Sequence, residues 1–107
     1  MRKMKKFSDT VKEQVQQSPT FRQGLLREAV SSFIAGEAGT GKILLSDYIG
    51  GTIGFDALSE ALNRTSASLV RMLGPRGNPP LSQFLEVIAY LQKIDGTVLE
   101  VVNKKAA

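Results

Sequence analysis

Residues 55–73 contain two short amphipathic segments with only three residues between them, and this spacing constrains the fold more than any other feature of the chain. Apolar residues in each segment recur every three or four positions, which is typical of a helix with one buried face. The sequence therefore predicts helices over 55–62 and 66–73. Since a three-residue connection leaves little freedom, the two helices must pack against each other at a fixed angle, which is the layout of a helix-turn-helix.

The residues at this corner have the side chains that such a turn requires. Asn63 stands where the backbone is usually left-handed, a conformation that asparagine tolerates better than any residue except glycine. Thr65 is a good N-cap for the second helix. Ser59 is a small residue where the second helix must pass close to the first. The side chains predicted to pack the two helices together are Leu58, Leu62, Leu69, Met72 and Leu73.

The rest of the chain is predicted to be helical up to its last segment. Apolar periodicity and helix-breaking residues indicate helices over 9–17, 20–35 and 40–50, with a last helix beginning at Pro79–Pro80. Ser8 is the predicted cap of the first helix, and Gly36 is the predicted end of the second. The predicted buried face of the last helix consists of Leu81, Phe84, Leu85, Ile88 and Leu91.

The C-terminal segment changes from helical to β character. After Asp95-Gly96 the sequence TVLEVV is rich in β-branched residues and predicts a short strand over 97–102. One strand cannot satisfy its own backbone groups, and no other segment of the chain is typical of a strand. We therefore expect it to pair with the same strand of a second copy, giving a homodimer, or with a different protein.

The predicted fold is a mainly α, compact domain of about six helices that contains a helix-turn-helix and ends in a short β-strand. With 107 residues, the chain is expected to form a single domain over 8–107, preceded by a basic tail over 1–7. No apolar run follows that tail, so it is not expected to be a signal peptide, and a cytoplasmic location is predicted. The absence of cysteine fits a reducing compartment.

Neither cysteine nor histidine occurs, which removes thiolate nucleophiles, disulfides, the usual metal ligands and the usual general base. The sequence GEAGTGKI over 36–43 matches most of a phosphate-loop pattern, but Ile43 stands where the magnesium-binding hydroxyl is required. The segment before Gly36 also has helical rather than strand periodicity. We therefore interpret 36–43 as a helix–helix connection and expect no enzymatic activity, metal or cofactor.

Negative charge is absent from the segment that contains the second helix of the predicted helix-turn-helix. Residues 7–103 hold eight positive and ten negative residues, yet 61–85 contain Arg64, Arg71 and Arg76 and no acidic residue. Such a local absence of negative charge is what a surface facing phosphates requires, although three solvated arginines would give the same pattern.

The second helix of the pair is the predicted reading helix. Its expected outward positions are Ser66, Ala67, Val70 and Arg71. Arg71 can bind guanine with two hydrogen bonds, Ser66 can reach a base or a phosphate, and Ala67 or Val70 can touch a thymine methyl group.

Phosphate contacts are predicted on either side of this helix. Arg64 in the turn and Arg76 in the following loop are placed for phosphates, as are backbone amides up to Asn78. These contacts add affinity without sequence preference.

The sequence SASLVRMLGPRGNP at 66–79, preceded by FDALSEALNRT, resembles a family of small bacterial helix-turn-helix regulators. This family comprises antitoxins related to the HigA-like proteins and the Cro/C1-type repressor class. The resemblance covers roughly residues 8–102. It implies a dimer that binds an operator in double-stranded DNA at its own promoter, with a RelE/HigB-like ribonuclease toxin as a second partner. It also implies that Thr65 joins Ser66, Ala67, Val70 and Arg71 on the DNA-facing side.

Three positions depart from the family pattern. Phe55 replaces a glutamine that often binds a phosphate, and the adjacent Asp56 repels one. Arg64 stands where an apolar residue is usual, and Pro80 replaces a hydroxyl cap. Two functions therefore remain open: a DNA-binding autorepressor and antitoxin, or a protein-interaction module that binds a toxin with little or no affinity for an operator.

Overall fold

Six α-helices follow one another in the computed structural model, which describes residues 7–106 apart from the side chains at 7–9 and 12. The helices are α1 (Phe7–Gln17), α2 (Pro19–Ile34), α3 (Ala38–Gly51), α4 (Phe55–Leu62), α5 (Ser66–Met72) and α6 (Leu81–Asp95). The predicted basic segment 1–7 lies outside the described residues except for Phe7. Within the described range, no helix combines the length and the apolar character needed to span a membrane.

The boundary between α1 and α2 follows from two adjacent residues. Ser18 is extended, and its hydroxyl accepts a hydrogen bond from the Phe21 amide at 3.2 Å. Pro19 then occupies the first helical position, where its missing N–H costs nothing. At the other end, Ser8 already lies within α1. The prediction that Ser8 caps α1 is therefore wrong.

The connection from α2 to α3 is shorter than the sequence predicted. After Ala35 caps α2, Gly36 takes a left-handed φ of 84°, and α3 already begins at Ala38. Most of the segment 36–43 is thus helix rather than connection. Gly41 faces α2, where a β carbon would lie only 2.7 Å from the ring of Phe33. Glycine at this position lets α2 and α3 pack closely.

All six helices contribute side chains to one hydrophobic core. Burial of these aliphatic side chains is the dominant favourable term in folding. The buried apolar residues are Val15, Leu25, Leu26, Ala29, Leu45, Tyr48, Ile49, Leu58, Leu69, Met72, Leu73, Val87, Ile88 and Leu91.

The buried face of α6 is rotated relative to the predicted one. Val87 is buried, whereas Leu81 and Leu85 are exposed by 70% and 52%. The sequence pattern was ambiguous because apolar residues cover two adjacent faces of this helix, and only packing decides which one faces the core. Leu81 and Leu85 are four residues apart and therefore form an apolar stripe on the surface.

The predicted strand over 97–102 is not present, since the described residues include no strand at all. The Thr97 amide donates to the carbonyl of Gln92 at 3.1 Å, and the Leu99 amide donates to the Gln92 side-chain oxygen at 2.7 Å. These bonds hold the start of the C-terminal tail, residues 97–106, against α6. A ladder needs a neighbouring strand, and this part of the chain supplies none, so residues 97–106 have no regular structure.

A buried ion pair fastens the end of α6 to the start of α2. The Arg22 Nε lies 2.6 Å from the Asp95 Oδ1, and the Asp95 side chain is 2% exposed. The adjacent Tyr48 is fully buried, and its hydroxyl has no hydrogen-bond partner. Burial raises the pKa of Tyr48 to about 12, and the Asp95 charge adds to that increase.

Candidate nucleic-acid interface

The corner between α4 and α5 is formed by a left-handed residue, as the sequence predicted. Asn63 has φ 54° and ψ 47°, and it is the only non-glycine residue with positive φ among the described residues. The next amide, that of Arg64, donates to the Ser59 carbonyl at 2.9 Å. This bond satisfies a carbonyl at the end of α4 and turns the chain sharply toward α5.

The start of α5 is capped by Thr65, which confirms that prediction. Its hydroxyl oxygen accepts a hydrogen bond from the Ser68 amide at 3.0 Å, and its backbone is extended. The hydroxyl proton of Thr65 is not used in this bond. Since Thr65 is exposed, it can still donate to a group outside the protein.

Ser66 faces α4 rather than the outer surface predicted for it. Its hydroxyl donates to the Asp56 carboxylate at 2.6 Å and lies 3.3 Å from the hydroxyl of the buried Ser59. The spacing already contained this information. Ser66 precedes Leu69 and Leu73 by three and seven residues, which places it on their inward face.

The outer face of α5 is formed by exposed residues that project away from the core. Three of the predicted outward positions, Ala67, Val70 and Arg71, are exposed, and Ser68 is exposed beside them. The sequence analysis did not include Ser68 among the outward positions. Its exposure follows from the helical period, which turns residue 68 about 100° away from the buried Leu69. The face therefore presents a methyl group, a hydroxyl, an isopropyl group and a guanidinium.

Arg64 is held by an ion pair instead of being free in the turn. Its Nη2 donates to the Glu86 carboxylate of α6 at 3.1 Å, and its side chain is 27% exposed. The Arg64 Nε is buried without a hydrogen-bond partner. The structure therefore separates Arg64 from the other two arginines, because neither Arg71 nor Arg76 has an ion pair with another described residue.

The loop after α5 is a tight turn with Arg76 at its tip. The Gly77 amide donates to the Gly74 carbonyl at 3.0 Å, and the Gly74 amide donates to the Arg71 carbonyl at 3.1 Å. Arg76 and Asn78 are exposed. The turn follows directly on the C-terminal end of α5, so it brings Arg76 to the same end of the molecule as Arg71.

Lys42 reaches this loop from α3, a connection that the sequence interpretation did not include. Its ammonium donates to the carbonyl oxygens of Gly74, at 3.4 Å, and of Gly77. This lysine belongs to the phosphate-loop-like pattern, but it donates to backbone carbonyls of the protein itself.

Negative charge near the outer face comes from α4. Asp56 and Glu60 are exposed, and the Asp56 carboxylate accepts the bond from Ser66 described above. The Ser66 hydroxyl therefore satisfies part of the hydrogen-bonding capacity of Asp56, the carboxylate expected to repel a phosphate. Phe55 beside it packs against the core and offers no hydrogen bond from its side chain.

No family model, curated protein or solved structure matches this chain. The resemblance to HigA-like antitoxins therefore remains a prediction from the residues at 66–79 and the segment before them.

Proposed function

We propose that this chain is a sequence-specific DNA-binding transcriptional repressor that regulates its own promoter as the antitoxin of a toxin–antitoxin module. The observation that carries the proposal is the α4–α5 corner. Asn63 and Thr65 fix the angle between the helices, and the core holds their inner faces. The exposed face of α5 is then free to enter a major groove, as the second helix of a helix-turn-helix does.

Base recognition is assigned to the outer face of α5. Arg71 carries the fork of donors that binds the O6 and N7 atoms of guanine, and one such contact contributes about 1–3 kcal/mol of discrimination between bases. Ala67 and Val70 offer apolar surface for thymine methyl groups. Ser68 adds a hydroxyl that can donate or accept.

Phosphate contacts are assigned to the residues beside this face. Arg76 lies in the exposed turn, and the Asn78 amide follows it. Thr65 has a free hydroxyl proton at the start of α5. Arg64 and Ser66 complete the predicted set, but each must exchange a protein partner, Glu86 or Asp56, for DNA. We therefore expect Arg71 and Arg76 to contribute more than Arg64.

We further propose that the protein binds its operator as a homodimer. Exposed apolar side chains remain on α6, at Leu81 and Leu85, and in the tail, at Val101 and Val102. Residues 97–102 have no regular structure, and in this proposal their exposed valines pack against a second copy. The α5 helices of the two copies would then bind half-sites about one helical turn apart.

A second function is a protein-interaction module that binds a RelE/HigB-like ribonuclease toxin with little or no operator affinity. Two observations favour it: α4 begins with Phe55 and Asp56 instead of a phosphate-binding side chain, and the apolar tail is available to any partner. In both functions the protein acts in the bacterial cytoplasm, without a cofactor, a metal or catalysis.

Selection from random duplex DNA, followed by binding titrations of the enriched sequence over a salt series, distinguishes the two functions. The repressor predicts an enriched palindromic sequence and an affinity that falls steeply with salt, because arginine–phosphate contacts release counterions. Failure to enrich any sequence would favour the interaction module. Co-purification with a RelE/HigB-like ribonuclease would then be the next experiment.

A further inference from the structure

Lys42 joins α3 to the loop that follows α5. It is the lysine of the phosphate-loop-like sequence, and its side chain is half-buried. The ammonium donates to the carbonyls of Gly74 and Gly77, which are the first and last residues of one turn. A single cation therefore binds both ends of the turn that carries Arg76.

The same turn is closed by its own backbone. The Gly77 amide donates to the Gly74 carbonyl at 3.0 Å, so the Gly74 oxygen accepts from both Gly77 and Lys42. Hydrogen bonds with a charged donor are roughly twice as strong as those between neutral groups. Partial burial also shields this lysine from water, so its contribution to the order of the turn is larger than that of an exposed lysine.

Gly77 brings the turn against the C-terminal end of α5. A β carbon at this position would collide with the backbone oxygens of Arg71 and Met72. The loop, the end of α5 and Lys42 therefore form one packed unit. Because the carbonyls at the end of a helix carry partial negative charge, a cation at this place is favourable.

We propose that Lys42 is a positioning residue for the DNA-facing loop. It fixes the 74–77 turn on the end of α5, which sets the distance between Arg76 on the turn and Arg71 on the reading face. Lys42 acts through the loop and makes no contact with DNA itself. The consequence for DNA binding rests on the proposed function, whereas the ordering of the loop does not.

Trypsin cleavage at the Arg76–Gly77 bond tests the ordering without DNA. The variant Lys42→Met removes the charge and keeps an apolar chain, while Lys93→Met removes an exposed lysine of α6 as a matched control. Cleavage at this bond is carried out under native conditions and monitored by mass spectrometry. We expect it to be about tenfold faster in Lys42→Met, because local opening of the turn controls access of the protease. The control should match the unmodified protein.

Two further results decide the same question. Lys42→Arg retains donors that can reach both carbonyls, so slow cleavage in this variant supports the assignment even if Lys42→Met folds poorly. Equal cleavage rates in Lys42→Met and the unmodified protein would overturn it. The rate increase can also be converted to a free energy and compared with the loss of unfolding free energy in urea. If it is no larger than that loss, the assignment is overturned, because cleavage then follows global unfolding and not local opening of the turn.

A double-mutant cycle with Arg76→Ala tests the consequence for binding to the selected duplex. If Lys42 acts through Arg76, Lys42→Met and Arg76→Ala each lower affinity and the double variant loses little more than Arg76→Ala alone. Additive losses would show that Lys42 does not act through Arg76. If the unmodified protein enriches no duplex, the proposed function fails, while the trypsin experiment still decides the role of Lys42.

Discussion

Asn63 shows at the scale of a residue how the sequence specifies the corner on which the proposed function depends. Its φ of 54° lies in the left-handed region, where a β-branched side chain is strongly disfavoured. We predict that Asn63→Val lowers the free energy of unfolding by about 1–2 kcal/mol, measured by urea denaturation. Asn63→Gly should retain most of the stability. Equal stability of the valine and asparagine proteins would contradict the need for a left-handed residue.

Tyr48 carries a hydroxyl that has no hydrogen-bond partner in the core. Because its hydroxyl is buried without a partner, we predict that Tyr48→Phe leaves stability at pH 7 unchanged or higher. A loss of more than about 1 kcal/mol would show that the hydroxyl contributes a hydrogen bond, for example through a buried water molecule.

The raised pKa of Tyr48 gives the protein a defined sensitivity to alkaline pH. The pKa is about 12 in the folded protein and 10.0 for an unperturbed tyrosine, so folding favours the protonated form. Its contribution is fully present below pH 10 and is lost as the pH rises through 12, to a limit of about 2–3 kcal/mol. Stability measured from pH 8 to pH 12 should therefore fall more steeply in the unmodified protein than in Tyr48→Phe. Parallel curves would contradict the shift.

At the scale of the helices, the ion pair between Arg22 and Asp95 connects α2 to the end of α6. Removing one partner leaves a buried charge uncompensated. We predict that Arg22→Met lowers the free energy of unfolding by about 2–4 kcal/mol, somewhat below a fully buried pair because Arg22 keeps partial exposure. Arg27→Met, an exposed arginine of the same helix, is the control and should change stability little. Similar stabilities of the two variants would show that the pair is not a structural connection.

The helices were predictable where local signals agree with packing, and not elsewhere. Turn and cap residues placed α4 and α5 correctly, because Asn63 and Thr65 act on their own neighbours. The face that α6 buries depends on residues distant in sequence, so Leu81 and Leu85 were placed in the core wrongly. Their exposure follows from the way α6 packs against the other helices.

The candidate site was predictable in its location and only partly in its detail. Periodicity brought Ala67, Val70 and Arg71 to the outer face, where the structure has them. The partners of Arg64 and Ser66 depend on Glu86 and Asp56, which tertiary packing brings close. The link from Lys42 to the loop at 74–77 spans more than thirty residues of sequence and had no local signal.

At the scale of the whole molecule, the exposed apolar tail is expected to mediate self-association. We predict that the double variant Val101→Asp/Val102→Asp sediments as a monomer at concentrations at which the unmodified protein is a dimer, because charge at these positions opposes burial. Ile43→Asp, at an exposed apolar residue on α3, should leave the dimer intact. A monomeric unmodified protein, or a double variant that remains a dimer, would contradict this expectation.

In the proposed function the outer face of α5 recognises DNA, and binding of the selected duplex by Arg71→Ala is the measurement that decides this role. Fluorescence anisotropy should compare this variant with Lys93→Ala, which removes the same charge from an exposed position on α6. We predict that Arg71→Ala loses about 10- to 100-fold in affinity and discriminates less at one guanine, as expected for the loss of a bidentate contact. The control should lose far less. Equal affinities of the two variants for the duplex would contradict the assignment of α5 as the reading helix.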